Sequence, residues 1–473
     1  MEYESLGHMT KLNDEQVDSA NTNIFYLPHH GVIYESSSTT KLRVVFDGSC
    51  KSSNRIALND KLLVGPTIQE DLFSILIRFR KYRYVVTADI AKMYRQVLVN
   101  DEYRDFQRIV WRNDTTQPIS HYRLNTVTYG TASAGYLAIR CLKQTGIDNQ
   151  DWFPHISQII QSDFYVHDLL SGASTLEEAH EIKINLIKIL DQYGFQLRKW
   201  MSNDIQLSEK PNHDVDDNYQ VKDDSAKKTL GLWWHAKSDI FSYKTSVITF
   251  SEGKLTKRII LSTISKLFDP LGLLSPIVIR SKVMLQKLWQ CNLGWNDSLP
   301  SNFQESWLEF IKQLPGAACL KTPRLFLNPS YKRIELYGFS DASEDAYGRC
   351  IYLESITENG NKIQLLCSKS RVAPLKSVSL PRLELCEAVL LTTLYVKVIK
   401  SSKLHVDATY FWTDSTIVLL WLVSPPNTWK VFVANRVAEI QTHTEFSQWS
   451  HVLTKDNPCG SCITWNRSKA FMY

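Results

Sequence analysis

The sequence predicts a multidomain protein of mixed α+β and α/β character, and three observations predict it. At 473 residues the chain has room for about two or three domains. The runs Tyr84-Val85-Val86-Thr87-Ala88-Asp89-Ile90 and Phe164-Tyr165-Val166-His167-Asp168-Leu169-Leu170 read as a strand ending on an acid and a tight hairpin with an acid at its tip. Beyond Pro323 the order becomes β-β-β-α-β-α-α-β, with acids at two strand ends and at one helix start.

Composition sets the broad class. A hydrophobic content of 44% and a charged content of 22% are ordinary for a globular protein and exclude wholesale disorder. The formal net charge of +5 permits a nucleic-acid partner without demanding one. The 9 cysteines are scattered apart from Cys459-Gly460-Ser461-Cys462, which fits a reducing, intracellular compartment. That lone C-x-x-C lacks the second pair of zinc-finger spacing. Met1 to Asp14 is polar and shows no secretory leader, and no apolar run approaches the ~20 residues of a membrane span. Neither Asp-Thr-Gly nor Asp-Ser-Gly occurs, so an aspartic-protease role has no nucleophile.

The elements follow in order. Residues 1–23 are polar with weak periodicity and read as a loose helical lead-in. Lys41 to Asp47 alternates as a strand, in which Arg43 is either a solvated cation or a phosphate contact. Leu62 to Arg83 reads as a helix with Ile68, Leu72, Ile75, Leu76 and Phe79 on one face. Arg78, Arg80, Lys81 and Arg83 near its end either complement the helix C-terminus or offer a basic surface to a nucleic-acid backbone. Tyr122 to Thr128 reads as a strand, and the small residues from Gly130 to Gly135 open a helix and allow a close approach. A further helix starts near Ser174 and Glu177, a capping-box pair, and stops at Gly194.

The polar stretch 203–228 reads as a loop or linker, followed by strands at 240–243 and 246–250 and helices near 257–267, 276–290 and 302–313. Strands then end at Asp341 and near Asp414, and a long helix from about 381 carries Glu384 in its first turn. Carboxylates gathered from separate strands and helices are the way a protein holds divalent metal ions against phosphates. Each acid alone is more simply a cap or turn former.

Several linked stretches point to a family. They are Leu27-Pro28-His29-His30-Gly31-Val32, Leu42-Arg43-Val44-Val45-Phe46-Asp47, Asp89 to Val97, Tyr129-Gly130-Thr131-Ala132-Ser133-Ala134, Phe164 to Gly172 and Gly194 to Trp200. Downstream come Phe268-Asp269-Pro270-Leu271-Gly272, Phe339-Ser340-Asp341-Ala342-Ser343, Leu380-Pro381-Arg382-Leu383-Glu384-Leu385 and Trp412-Thr413-Asp414-Ser415. In this order they resemble the polymerase region of a Pao/BEL-type long-terminal-repeat retrotransposon polyprotein, a reverse transcriptase followed by a ribonuclease H domain. The resemblance runs from about 25 to about 458.

The resemblance implies a right-hand polymerase of fingers, palm and thumb followed by a ribonuclease H-like domain. The implied division is a lead-in at 1–24, fingers and palm at 25–202, a linker at 203–228, a thumb or connection region at 229–325, a ribonuclease H-like domain at 326–458 and a divergent tail at 459–473. It implies Asp89 and Asp168 as polymerase metal ligands, Arg43 on the triphosphate, Tyr94 screening the sugar 2′-position, and Gly130 under the incoming nucleotide. It also implies Asp341, Glu384 and Asp414 as ribonuclease H carboxylates. The implied cofactor is Mg2+ or Mn2+, and the partners are an RNA template, a DNA primer, an RNA–DNA hybrid and dNTPs, with no membrane. The expected location is the cytoplasm or the element particle.

The chain departs from the family pattern in places. His167 stands where the usual Tyr-x-Asp-Asp hairpin has its first aspartate, Gly135 replaces a proline, and Gly460 replaces the fourth ribonuclease H acid. Ser461 to Tyr473 does not resemble the family's closing helix, as expected of a truncated or frame-shifted copy. His167 removes a negative charge and two hard oxygens from a site built for hard cations. A unit charge ~4 Å from a dication is worth roughly 8 kcal/mol at an effective dielectric of about 20, and a third of that is still about a hundredfold in rate. The expectation is a retrotransposon-derived polymerase with impaired two-metal chemistry. The alternative is a non-catalytic remnant that binds template–primer.

Overall fold

The structure, a computed structural model, describes residues 2–17, 24–33, 42–208, 227–229, 232–243, 254–376 and 378–460. Most of the expected linker, the strand expected at 246–250 and the tail from 461 onward lie outside the described residues. No helix among the described residues is long and apolar enough to cross a membrane. The chain divides into two compact units: Met1–Asp71 with Val86–Ser171 and His180–Met201, and Leu72–Val85 with Gly172–Ala179 and Ser202–Tyr473.

In the first unit the apolar alternation produces short sheets. Ser120–Leu124 lies between Met9–Lys11 and Arg108–Trp111, antiparallel to both. The lead-in is therefore not simply helical: Met9–Lys11 is a strand, and Met9 is buried with Leu27, Phe46, Leu58, Ile109, Tyr122 and Leu124. The strand expected at 122–128 instead ends at Leu124. His29–Ile33 pairs with Leu42–Phe46, which places Arg43 opposite Val32. A four-stranded sheet, most of whose residues belong to this unit, is ordered Phe164–Tyr165, Asp168–Ala173, Tyr84–Ile90, Leu197–Ser202. Helices Ala134–Asp148 and Pro154–Ser162 contribute buried Ala138, Leu142, Ile156, Ile159 and Ile160, each at the spacing that puts it on one helix face.

The second unit holds a five-stranded sheet ordered Gly360–Val372, Ala346–Thr357, Arg333–Ala342, Ala408–Thr413, Trp449–His451. The first three strands are antiparallel, and the last two pairings are parallel. Helix Leu380–Ser402 packs on this sheet: Leu391 and Phe411 close over Gly338, where an added Cβ would stand 3.0 Å and 2.9 Å from them. Helices Lys257–Ser265, Ser275–Gln290 and Ser301–Gln313 and a small antiparallel sheet complete the unit. The helix expected from Ser174 starts at Leu176, and its cap is Thr175, whose Oγ1 accepts from Glu178 N at 3.2 Å.

The turn Phe268–Gly272 anchors to the strand Gly360–Val372. Ser368 N donates to Leu271 O at 2.9 Å, and Ser368 Oγ donates to Gly272 O. Gly272 has φ +75°, and a Cβ there would lie 1.6 Å from Ser368 O, so only glycine fits. Asp269 is half-buried in this turn and accepts from Leu274 N at 2.7 Å, while its buried Oδ1 has no hydrogen-bond partner. Burial pushes its carboxyl up to about 7 against the opposing backbone N–H bonds.

The helix expected from Leu62 is shorter, Leu72–Lys81, because Gly65 at φ +80° and Pro66 break the chain before it. Two of the four cations near its end are not on the surface. Arg78 is buried, and Arg80 is fully buried, donating to the carbonyls of Arg324, Leu366, Leu365 and Pro323. The cation that complements the helix end is Arg324. Its Nη1 donates to Phe79 O at 2.6 Å and Tyr82 O at 2.7 Å, and its Nε and Nη2 fork onto the two Asp239 oxygens at 2.6 Å. Residues far along the chain supply these acceptors, which is why a helix-end charge run alone is a poor guide.

Arg324→Met strands Asp239 and the helix carbonyls, and should cost ~3 kcal/mol or more in urea unfolding. The exposed Arg83→Ala should cost ~0.5 kcal/mol or less. Equal losses would refute the buried fork as a fastening. Asp269 supplies a second prediction. Because its folded pKa is raised, to about 7, the stability it contributes is full below the ordinary carboxylate range and fades as pH rises to about 7. Asp269→Asn has no proton to lose, so its urea midpoint should decline less than that of the unmodified chain between about pH 4 and about pH 8.

Candidate metal centre

The hairpin forms because Phe164 pairs with Leu169 and Tyr165 with Asp168, leaving Val166 and His167 as a two-residue turn. Such turns need a positive φ, and Val166 supplies it at φ 56° despite its branched Cβ. Ile90 N donates to His167 O at 2.9 Å, and Val166 N donates to Gln69 Oε1 at 3.1 Å, so the turn is pinned beside the strand end that carries Asp89.

Asp89, His167 and Asp168 consequently converge, with one ligand atom from each lying within 4.8 Å of the others. His167 Nε2 stands 3.7 Å from Asp89 Oδ2 and 3.9 Å from Asp168 Oδ2. Lys199 Nζ stands 3.5 Å from Asp89 Oδ1. The Asp89 side chain is only 21% exposed, so its charge is partly withdrawn from water and its cationic neighbours count. Of the 7 described non-glycine residues at positive φ, Lys92, Val166 and Lys199 lie in the three segments that build this site. Backbone strain gathered in this way is a mark of functional sites.

Two carboxylates and an imidazole are a donor set for one divalent ion. They do not fit a pair of magnesium ions, because one hard oxygen ligand of the expected set is missing.

The other residues singled out in this unit are placed as follows. Arg43 is exposed on its strand. Tyr94 is half-buried in the turn Met93–Gln96, and burial raises its hydroxyl above its ordinary range. Gly130 has φ +94°, and a Cβ there would lie 2.2 Å from Phe46 O, so the local backbone already demands glycine. Gly135 has open space around its would-be Cβ. Arg95 was not singled out by the sequence: it is buried, over the rings of Tyr3, Phe46 and Tyr129 at 4.7, 5.2 and 5.1 Å. Burial, then the hydrogen bond with Tyr3, pushes the Tyr129 hydroxyl up to about 12.

In the second unit Asp341 and Asp414 sit at the C-terminal ends of neighbouring parallel strands, with Ser340 paired to Thr413. The helix expected from about 381 starts at Leu380, so Glu384 is its fifth residue and lies past the first turn; burial raises its carboxyl, as does the Asp414 charge, against a lowering bond from Ser415. Thr454 Oγ1 donates to Asp414 Oδ2 at 2.9 Å, a support that sequence reading missed. Asn457 Nδ2 donates to Ser340 O at 2.9 Å, which brings Gly460 so close that a Cβ there would stand 3.2 Å from Asp341 Oδ2. Among the described residues these acids do not form a three-ligand group as tight as the one at the hairpin.

Comparison with known proteins bears on both units. Residues 256–415 match the Pao retrotransposon-like RNaseH-like domain family. No curated protein matches the sequence. Among solved structures the chain resembles a foamy viral protease-reverse transcriptase dRH in complex with ds DNA, with a TM-score of 0.58 and 14% identity over 95% of this chain and 67% of that one. At that identity the likeness is one of fold. Together, the family match and the shared fold support a Pao-type retroelement pol fragment.

Proposed function

We propose that the chain is a reverse transcriptase with a ribonuclease H-like domain, built for nucleotidyl transfer on a primed RNA template and impaired in that step by His167. The convergence of Asp89, His167 and Asp168 carries this reading. Residues 25–202, which carry it, are assigned to fingers and palm, residues 229–325 to a thumb or connection region, and residues 326–458 to the ribonuclease H-like domain. The likeness to an enzyme solved with duplex DNA supports nucleic acid as the partner.

Asp89 and Asp168 would hold a divalent ion, which supplies charge stabilisation to a transferring phosphoryl group. The chain's own residues then do the positioning. Arg43, exposed on its strand, offers a planar guanidinium to triphosphate oxygens. Tyr94 sets a half-buried ring near the strand end that carries Asp89, in the place of a sugar-screening residue. Gly130 is assigned to the place under an incoming nucleotide on the resemblance alone, since its missing side chain makes room for Phe46 O. His167 places a neutral or cationic ring between the two acids, where an ionised carboxylate would serve polymerisation. For hybrid cleavage, Asp341, Glu384 and Asp414 are assigned as metal-holding acids, with Gly460 at the vacant fourth place.

Restoring the acid with His167→Asp should raise primer extension on an RNA template by about a hundredfold. Equal rates in the two proteins would overturn the impairment. A failure of both, with salt-dependent hybrid binding retained, would favour the non-catalytic binding remnant. Hybrid cleavage by the unmodified chain that vanishes in Asp341→Asn would support the ribonuclease assignment. Equal cleavage by both would remove the ribonuclease assignment.

A further inference from the structure

We propose that the hairpin site takes one borderline transition ion, such as zinc or cobalt, in preference to magnesium, and that Lys199 is the cation this ion displaces. The proposal rests on the reading of Asp89 and Asp168 as metal-holding carboxylates. It departs from that reading in which ion is held and how many.

The donor chemistry comes first. Magnesium dehydrates reluctantly and asks for near-octahedral oxygen, whereas imidazole nitrogen suits zinc and its transition-metal neighbours. His167 offers Nε2 3.7 Å and 3.9 Å from the two carboxylates, so one nitrogen and two oxygens already face one another. The pinned turn holds them there: Ile90 N on His167 O and Gln69 on Val166 N fix the backbone on which the imidazole is mounted. Preorganisation of this kind lowers the ordering cost of binding.

Charge balance supplies the second half. Asp89 faces Lys199, whose Nζ is 3.5 Å from its Oδ1. A dication held by Asp89 and Asp168 would take over the neutralising role that Lys199 plays at Asp89, and its charge would repel the ammonium. The Lys199 side chain is 37% exposed and can turn to water. Lys92, the other lysine on the segments that build the site, is paired with Glu2 at 2.5 Å. Lys199 therefore acts as a tethered stand-in, and its removal should tighten metal binding.

Calorimetric titration of the full chain, without nucleic acid, tests this. Zinc and cobalt should bind about tenfold or more tightly than magnesium. His167→Gln should lose about tenfold in cobalt affinity, and Lys199→Gln should gain about threefold. Pulsed electron paramagnetic resonance of the unmodified chain with one equivalent of manganese should show an imidazole nitrogen on the ion, a readout that needs no variant to fold. Magnesium binding as tight as zinc, cobalt affinity retained in His167→Gln, or manganese without a nitrogen ligand would each overturn the ion preference. Unchanged affinity in Lys199→Gln would overturn the displacement. Because no template is present, these failures are distinct from failure of the polymerase reading, which primer extension by His167→Asp tests separately.

Discussion

A guanidinium sealed from water must find its hydrogen bonds in protein, and the second unit is organised around two that do. Arg324 spends its fork on Asp239 and its remaining donors on the last carbonyls of the helix Leu72–Lys81. Arg80, on that helix, returns donors to the backbone of Arg324 and to Leu365 and Leu366 on the long strand. The small sheet, the helix and the large sheet are thereby joined through directional bonds as well as apolar contact. Burial alone would push both cations toward neutrality, and it lowers the Arg80 pKa to about 10. The carbonyl cages and Asp239 are what keep such groups tolerable in the interior.

The hairpin site shows the opposite balance. Its charges are partly open to water, its backbone is strained at Val166 and Lys199, and Asp89 faces Lys199. Arg80 and Arg324 are met by protein acceptors, while the hairpin's charges are partly open to water. Backbone strain such as that at Val166 and Lys199 persists only where its own surroundings over-determine it.

Much of this was legible in the sequence, for physical reasons that can be named. The hairpin could be read because an aromatic pair and an apolar run flank a two-residue gap, and alternation does not survive a change of register. The acids at Asp341 and Asp414 could be read as strand-end residues, but only the parallel register of their strands makes them neighbours. Arg78 and Arg80 were not legible as buried groups: a cationic helix end looks the same whether it meets solvent or distant carbonyls. Met9–Lys11 was missed because its pairing partner, Ser120–Leu124, lies far along the chain. Val166 at positive φ runs against the preference of every branched residue, so no local rule announces it.

Gly460 marks how near the second set of acids stands to completion. The segment before it is fastened by Asn457 to the carbonyl of Ser340, and the missing side chain would emerge 3.2 Å from the Asp341 carboxylate. A glycine codon and an aspartate codon can differ by a single base, as can those of histidine and aspartate. Under the proposed assignment both positions therefore lie a short mutational step from the acids the family pattern has there, and at Gly460 the backbone already stands beside the Asp341 carboxylate.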